Sequence, residues 1–422
     1  LDFLGYNKAM SILIKNVILD GVKKDVYIEQ GLIKKIGSSL NFKAKEKIDA
    51  CSSKAIIPSL INSHTHAAMS IFRGYADDLF LDKWLNDKIW PLEEKLNQDD
   101  IYWGTKLACL EMIKTGTSFF NDMYMFPGTA SQAVKEMGMR AMIGLVVVGF
   151  DSKEINRLEE RYLRFKKQED ELVKFSVSPH SIYAVSRENL INAGKFALSK
   201  KMILHTHLSE TEKEVKDCLK KYKTTPTQLL DKLGLLSPRT VLAHGVHLSL
   251  KEIKILSQRK VSLSHNPTSN LKLSVNGIFP YLSMVKNKVN VMLGTDGCAS
   301  NNNLDMFQEM KTASLIQKYR ENNPTVAPAK EIFQAASRNG FKFFNLNGGE
   351  IKEGKIADFL LINLNEASLV PGHCLVSDLV YSASGEVVSD MICNGKIVMR
   401  DRKVKQEQEI IKQARKRWIL KK

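Results

Sequence analysis

The stretch Pro58-Ser59-Leu60-Ile61-Asn62-Ser63-His64-Thr65-His66 decides how the rest of the chain is read. It follows the apolar run Ala55-Ile56-Ile57, which reads as a short buried strand. Residues two apart on a strand point to one side, so His64 and His66 project together from its end. Two imidazoles so placed can share a cation, and imidazole suits zinc, iron or nickel better than calcium or magnesium. Such a pair also arises by chance, so the other ligands must come from elsewhere in the chain.

Other strand ends supply them. Strand-like segments over 117–122, 141–148, 175–178, 202–207, 241–244, 261–265 and 289–296 alternate with helical patterns such as 107–114 and 130–137. Repeated βα units predict a parallel sheet closed into a barrel, with its chemistry where the strands end. Four ends carry unusual polar residues: His64 with His66, His207, His244 and Asp296. A single core His usually finds a hydrogen bond and nothing more. Four such ends together make a mononuclear hydrolytic metal site. His64, His66 and His207 serve as neutral ligands, and Asp296 adds a carboxylate able to accept a water proton. His244 can orient or deprotonate that water. Glu210, three residues beyond His207, suits a proton shuttle. His205 faces the same way one layer lower and reads as structural. His180 and His265 end strands and could line the pocket. His247 and His373 read as packing or surface residues.

The two ends of the chain read differently. Residues 11–49 form a small meander with a turn at Gln30-Gly31. Near the other end, the strand 359–363 precedes a hairpin turning at Asn394-Gly395. Neither half can bury a core of its own, so the two are expected to join as one β-sandwich around the barrel insertion. The expected boundaries are 10–57 and 350–404 for the sandwich, 58–349 for the barrel, and 405–422 for a basic C-terminal helix. Residues 1–9, ahead of Met10, read as an upstream extension or a cloning remnant.

The chain has 422 residues, 44% hydrophobic and 26% charged, as expected of a soluble globular protein. No apolar run approaches a membrane span, and the first residues lack the features of a signal peptide. Six scattered cysteines form no CxxC and read as reduced thiols in a cytoplasmic protein. The net charge of +16 is spread along the chain without a basic block or interleaved aromatics. It therefore reads as a solvated lysine-rich surface with neither a nucleic-acid nor a membrane partner.

The motifs His64-Thr65-His66, His205-Thr206-His207-Leu208-Ser209-Glu210, Ala243-His244-Gly245, Ser264-His265-Asn266-Pro267 and Gly294-Thr295-Asp296-Gly297, in this order, resemble the amidohydrolase superfamily. Within it the chain resembles the 5′-methylthioadenosine/S-adenosylhomocysteine deaminases and their 5′-deoxyadenosine deaminase relatives, over residues 11 to 404. The resemblance implies a TIM-like (β/α)8 barrel with a split β-sandwich and one divalent metal ion, zinc first, with iron or manganese using the same residues. It also implies loss of the adenine 6-amino group as ammonia from a nucleoside, and a homo-oligomer. Activated water would attack C6, with Glu210 protonating N1 and with His244 and Asp296 handling the water protons.

The same resemblance assigns substrate contacts. Trp84 would pack the nucleoside and Glu93 would bind the ribose hydroxyls, although residue chemistry alone reads them as core and surface. His180 would touch the nucleoside. Arg157 matches one of two arginines that hold a carboxylate on long 5′ substituents, and the other falls at Leu145, a departure that makes this wall apolar. Arg140 and Lys153 are the alternatives for that loop. Binuclear relatives carry a lysine where this chain has Ser178-Pro179-His180, which favours a single ion. Rival expectations are deamination of a free base or of a larger adenine nucleoside, and a basic nucleic-acid-binding scaffold without turnover.

Overall fold

A computed structural model describes residues 10–419. Residues 1–9 and 420–422 lie outside the described residues. The N-terminal meander is β1 (Ser11–Leu19), β2 (Val22–Glu29), β3 (Leu32–Gly37), β4 (Glu46–Asp49) and β5 (Lys54–Pro58). Eight strands follow: β6 (Leu60–Thr65), β7 (Thr117–Asp122), β8 (Arg140–Val147), β9 (Val173–Pro179), β10 (Leu204–Leu208), β11 (Thr240–His244), β12 (Ser262–His265) and β13 (Asn290–Leu293). The chain ends with β14 (Phe359–Asn363), β15 (Val388–Cys393), β16 (Lys396–Arg400), β17 (Lys403–Val404) and the helix Glu407–Ile419. The helix expected over 405–422 begins at Glu407, and Lys403 and Val404 ahead of it pair with Arg400 and Met399.

Strands β6 to β13 form one parallel sheet in sequence order, with helices in every connection. Such strands are covered on both faces, and β6, β7, β10, β11 and β12 are buried throughout. The sheet closes where β13 ends: the Asp296 amide donates to the His64 carbonyl at 3.0 Å, and the Asn62 amide donates to Thr295 Oγ1 at 2.7 Å. Gly294 sits at this seam. A Cβ there would meet Ser264 Oγ at 2.5 Å and the His64 nitrogen at 2.8 Å, so no other residue fits. Inside the barrel, Ile61, Phe119, Met142, Val241 and Met292 pack with Phe341 and Phe344 and leave the opposite, C-terminal end for polar groups.

The terminal strands form a separate nine-stranded sheet, running β17-β16-β15-β14-β5-β1-β2-β3, with β4 alongside β1. The expected sandwich is this single sheet folded over. Its β3 edge returns to bond the segment before β14, through Ile33 N to Lys355 O at 2.9 Å and Ala357 N to Gly31 O at 2.8 Å. Ile12, Ile14, Val26, Ile28, Phe359 and Leu361 fill the enclosed core. One strand assignment changes. The run Ala55-Ile56-Ile57 belongs to β5 of this sheet, while His64 rides on β6, which starts at Leu60 after the chain has crossed into the barrel.

A buried ion pair joins the two bodies. Arg140 Nε, on β8, donates to Asp358 Oδ2 at 2.6 Å, and both side chains are almost fully enclosed. Asp358 Oδ1 also accepts the Asn394 amide at 2.6 Å. Removing one partner of such a pair strands the other charge. Asp358→Ala is therefore expected to lower unfolding free energy by about 3–5 kcal/mol, measured by chemical denaturation.

Candidate metal and substrate site

Each site histidine has one ring nitrogen anchored. His66 Nδ1 donates to the Met123 carbonyl at 2.6 Å, and His207 Nδ1 donates to the His180 carbonyl at 2.7 Å. His244 Nδ1 donates to Asn270 Oδ1 at 2.8 Å. His64 Nδ1 meets His205 Nε2 at 2.8 Å, so the histidine read as structural is the support for His64. Anchoring Nδ1 fixes the tautomer and turns Nε2 toward a common centre. His64, His207, His244 and Asp296 each bring a ligand atom within 4.8 Å of the others. His66 lies outside that tightest set, yet its Nε2 is 3.2 Å from Asp296 Oδ1, as is Nε2 of His64.

Asp296 is held just as firmly. Its Oδ2 accepts hydroxyl hydrogen bonds from Ser269 and Ser300, each at 2.7 Å, which leaves Oδ1 to face the imidazoles. Both Asp296 and His244 adopt left-handed backbone conformations, with φ of 63° and 72°. Non-glycine residues are held there only when their surroundings over-determine them, and such residues cluster at functional sites. In this chain the strain turns the last residue of β11 and the first acid beyond β13 into the barrel mouth.

The electrostatics favour a positive charge at the centre. Burial pushes the His64 imidazole down to about 4 and holds His207 well below the ordinary range. Burial opposes charge on His66 too, but the Asp296 carboxylate outweighs it and lifts the group to about 9. His64 Nε2 is buried and has no hydrogen bond. A neutral lone pair left without a partner, beside a carboxylate and other lone pairs, fits a divalent cation with nitrogen and oxygen ligands.

This centre opens into a cavity of about 460 Å³. Glu210, Trp84, Glu93 and His180 line it together with His66, His207, His244 and Asp296. Burial raises the Glu210 carboxyl, and its Oε1 lies 3.8 Å from His244 Nδ1. The turn after β10 is fixed by Glu214, whose carboxylate accepts the Ser209 and Glu210 amides at 2.9 and 2.8 Å. His265 does not line the cavity, because its ring stacks on Phe279 at 4.3 Å. His247 Nε2 bonds the Val275 carbonyl, and His373 is exposed.

Two expectations about the loop after β8 are corrected. Arg157 is half-exposed, bound to Asp151 and Glu154, and does not line the cavity; the guanidinium that does is Arg161, one turn later. Leu145 is buried in the layer behind the strand, and Val146 faces the cavity instead. A one-residue slip on a strand exchanges the two faces, and that slip separates the two readings. The alternatives fail as well, since Arg140 is tied to Asp358 and neither it nor Lys153 lines the cavity. Sequence reasoning also missed Tyr124, which donates to Glu93 Oε1 at 2.6 Å. Its signal was available: Tyr124 stands two residues past β7, where a polar strand end is expected to face the site.

With this geometry established, the relatives are informative. The amidohydrolase family pattern matches residues 55–398. A 5′-deoxyadenosine deaminase from Methanospirillum hungatei is 44% identical over 97% of this chain and 93% of its own length. A 5-methylthioadenosine/S-adenosylhomocysteine deaminase from Archaeoglobus fulgidus is also 44% identical, over 96% and 95%. An adenosine deaminase from Xanthomonas campestris, solved with bound zinc, superposes with a TM-score of 0.90 at 31% identity, covering 97% of this chain and 98% of its own. The chain belongs to the amidohydrolase family.

In this amidohydrolase the cage residues are expected to act as one binding unit. His66→Ala should abolish both tight divalent-ion binding and activity, whereas the wild type should carry about one ion per chain. Metal analysis of both purified proteins measures this.

Proposed function

We propose that this amidohydrolase is a metal-dependent hydrolytic deaminase of adenine nucleosides with modified 5′ ends. It converts 5′-deoxyadenosine, 5′-methylthioadenosine, S-adenosylhomocysteine or adenosine to the inosine analogue and ammonia. The observation that carries this reading is the shared cavity, in which a cation cage and the buried acid Glu210 meet Trp84 and Glu93. The names of the 44%-identical relatives support the substrate class.

His64, His66 and His207 through Nε2, with Asp296, would hold a single ion, zinc by its nitrogen and oxygen donors and by the zinc in the Xanthomonas campestris enzyme. Such an ion supplies Lewis acidity, lowering the pKa of water toward ~7. The chain's own residues do the rest. His244, fixed on Asn270, orients the water through Nε2. Asp296 Oδ1, free of the serine hydroxyls, accepts a water proton. Glu210, whose carboxyl burial favours in the acid form, donates to N1 as water adds to C6. The proton on Asp296 passes to the 6-amino group, which leaves as ammonia, and the remaining hydroxyl proton restores Glu210. Trp84 packs against the base and sugar, while Glu93, oriented by Tyr124, accepts from the ribose hydroxyls.

No helix among the described residues is long and apolar enough to cross a membrane. A cytoplasmic location is inferred from six unpaired cysteines, four of them buried. A homo-oligomer follows from the family resemblance alone.

Ammonia release from a panel of adenine nucleosides and free bases tests the function. Turnover of the nucleosides is expected, and turnover of free bases alone would contradict it. Glu210→Gln should keep metal and fold while kcat falls ~10²–10⁴-fold, the usual loss on removing a general acid, measured by steady-state kinetics with metal analysis.

A further inference from the structure

The cage residues come from the ends of β6, β10, β11 and β13, and none comes from β8. On the β8 side the cavity wall is Val146, Val148, Phe126 and Ala184, interrupted by a single charged pair, Arg161 and Glu154. Arg161 Nη2 donates to Glu154 Oε1 at 2.6 Å and to the Val146 carbonyl at 3.0 Å. The other oxygen of Glu154 accepts from Arg157 at 3.3 Å, and Arg157 bonds Asp151 at 2.9 Å. Two guanidinium groups thus face two carboxylates, and their charges cancel. Glu154 is only 6% exposed and sits in the first turn of its helix, where the helix dipole favours a carboxylate.

We infer that Glu154 is a specificity-determining residue: by holding Arg161 in an ion pair it leaves this end of the cavity without net charge and selects an uncharged 5′ substituent over one bearing a carboxylate. The inference rests on the nucleoside reading above. A substrate carboxylate meeting Arg161, whose Nε has no hydrogen bond, would sit beside the buried Glu154 carboxylate, and repulsion between the two like charges would offset the attraction of the guanidinium. A methyl or methylthio group leaves the pair intact and packs on the apolar wall. Both Glu154 oxygens and the Arg161 Nη2 are engaged, while Arg161 Nε has no hydrogen bond.

The test compares kcat/KM for S-adenosylhomocysteine and 5′-methylthioadenosine, both thioethers, one with an amino-acid end and one without. The wild type should favour 5′-methylthioadenosine. Glu154→Gln should raise the S-adenosylhomocysteine to 5′-methylthioadenosine ratio by roughly 10-fold or more, as expected when a charged hydrogen-bond donor is released to the substrate. Adding Arg161→Gln should erase that gain. The double variant removes the pair without leaving either charge behind, and its ratio should stay within about 3-fold of that of the wild type. It keeps the inference testable if Glu154→Gln alone fails to fold. A collapse of S-adenosylhomocysteine turnover in the double variant would show that Arg161 holds the substrate carboxylate despite Glu154 and overturn the inference. An unchanged ratio in Glu154→Gln would overturn it too, and a lower ratio would mean that Glu154 holds the substrate ammonium. Wild-type preference for S-adenosylhomocysteine overturns this inference alone, whereas no turnover of either compound overturns the nucleoside reading itself.

Discussion

The structure depends on one costly arrangement: the Asp296 carboxylate buried against the Nε2 atoms of His64 and His66, each 3.2 Å away. Burying a carboxylate and several imidazoles without a compensating charge is strongly unfavourable. The chain nevertheless holds them there, with Nδ1 of every cage histidine anchored and both Asp296 and His244 in left-handed backbone geometry. The barrel seam is made by the same residues, since Asp296 donates its amide to His64. A cation at the cage therefore stabilises the closure of the fold as well as the site.

From that centre the cavity is graded. Groups able to transfer protons, Glu210, His244 and Asp296, lie at the cage, and Glu93 with Tyr124 forms a polar contact beside it. The β8 side is apolar apart from one internally neutralised pair. This gradient suits a molecule with a reacting heterocycle, a hydroxylated middle and an uncharged tail.

The barrel and the cage were legible in the sequence because they rest on strong local signals. Buried parallel strands are continuous apolar runs, and polar residues at their ends stand out against them. His64, His66, His207, His244, Asp296 and Glu210 were all visible in this way. The start of the first barrel strand was not, since Ala55–Ile57 and Leu60–Ile61 are equally apolar and only the crossing at Ser59 separates two sheets. Contacts set by register were also hidden. Leu145 and Val146 differ by one position and face opposite sides, and Arg157 and Arg161 differ by one helical turn. The supports of the cage, Asn270, Ser269, Ser300 and His205, come together only on folding, so spacing along the chain could not assign their roles.

The most direct test of the cage is a crystal structure of the zinc-loaded protein with anomalous data collected at the metal edge. One ion per chain is expected, bound at ~2.0–2.2 Å by Nε2 of His64, His66 and His207 and by one Asp296 oxygen, with His244 outside the coordination shell. A second ion, or a shell in which His244 replaces His66, would contradict it.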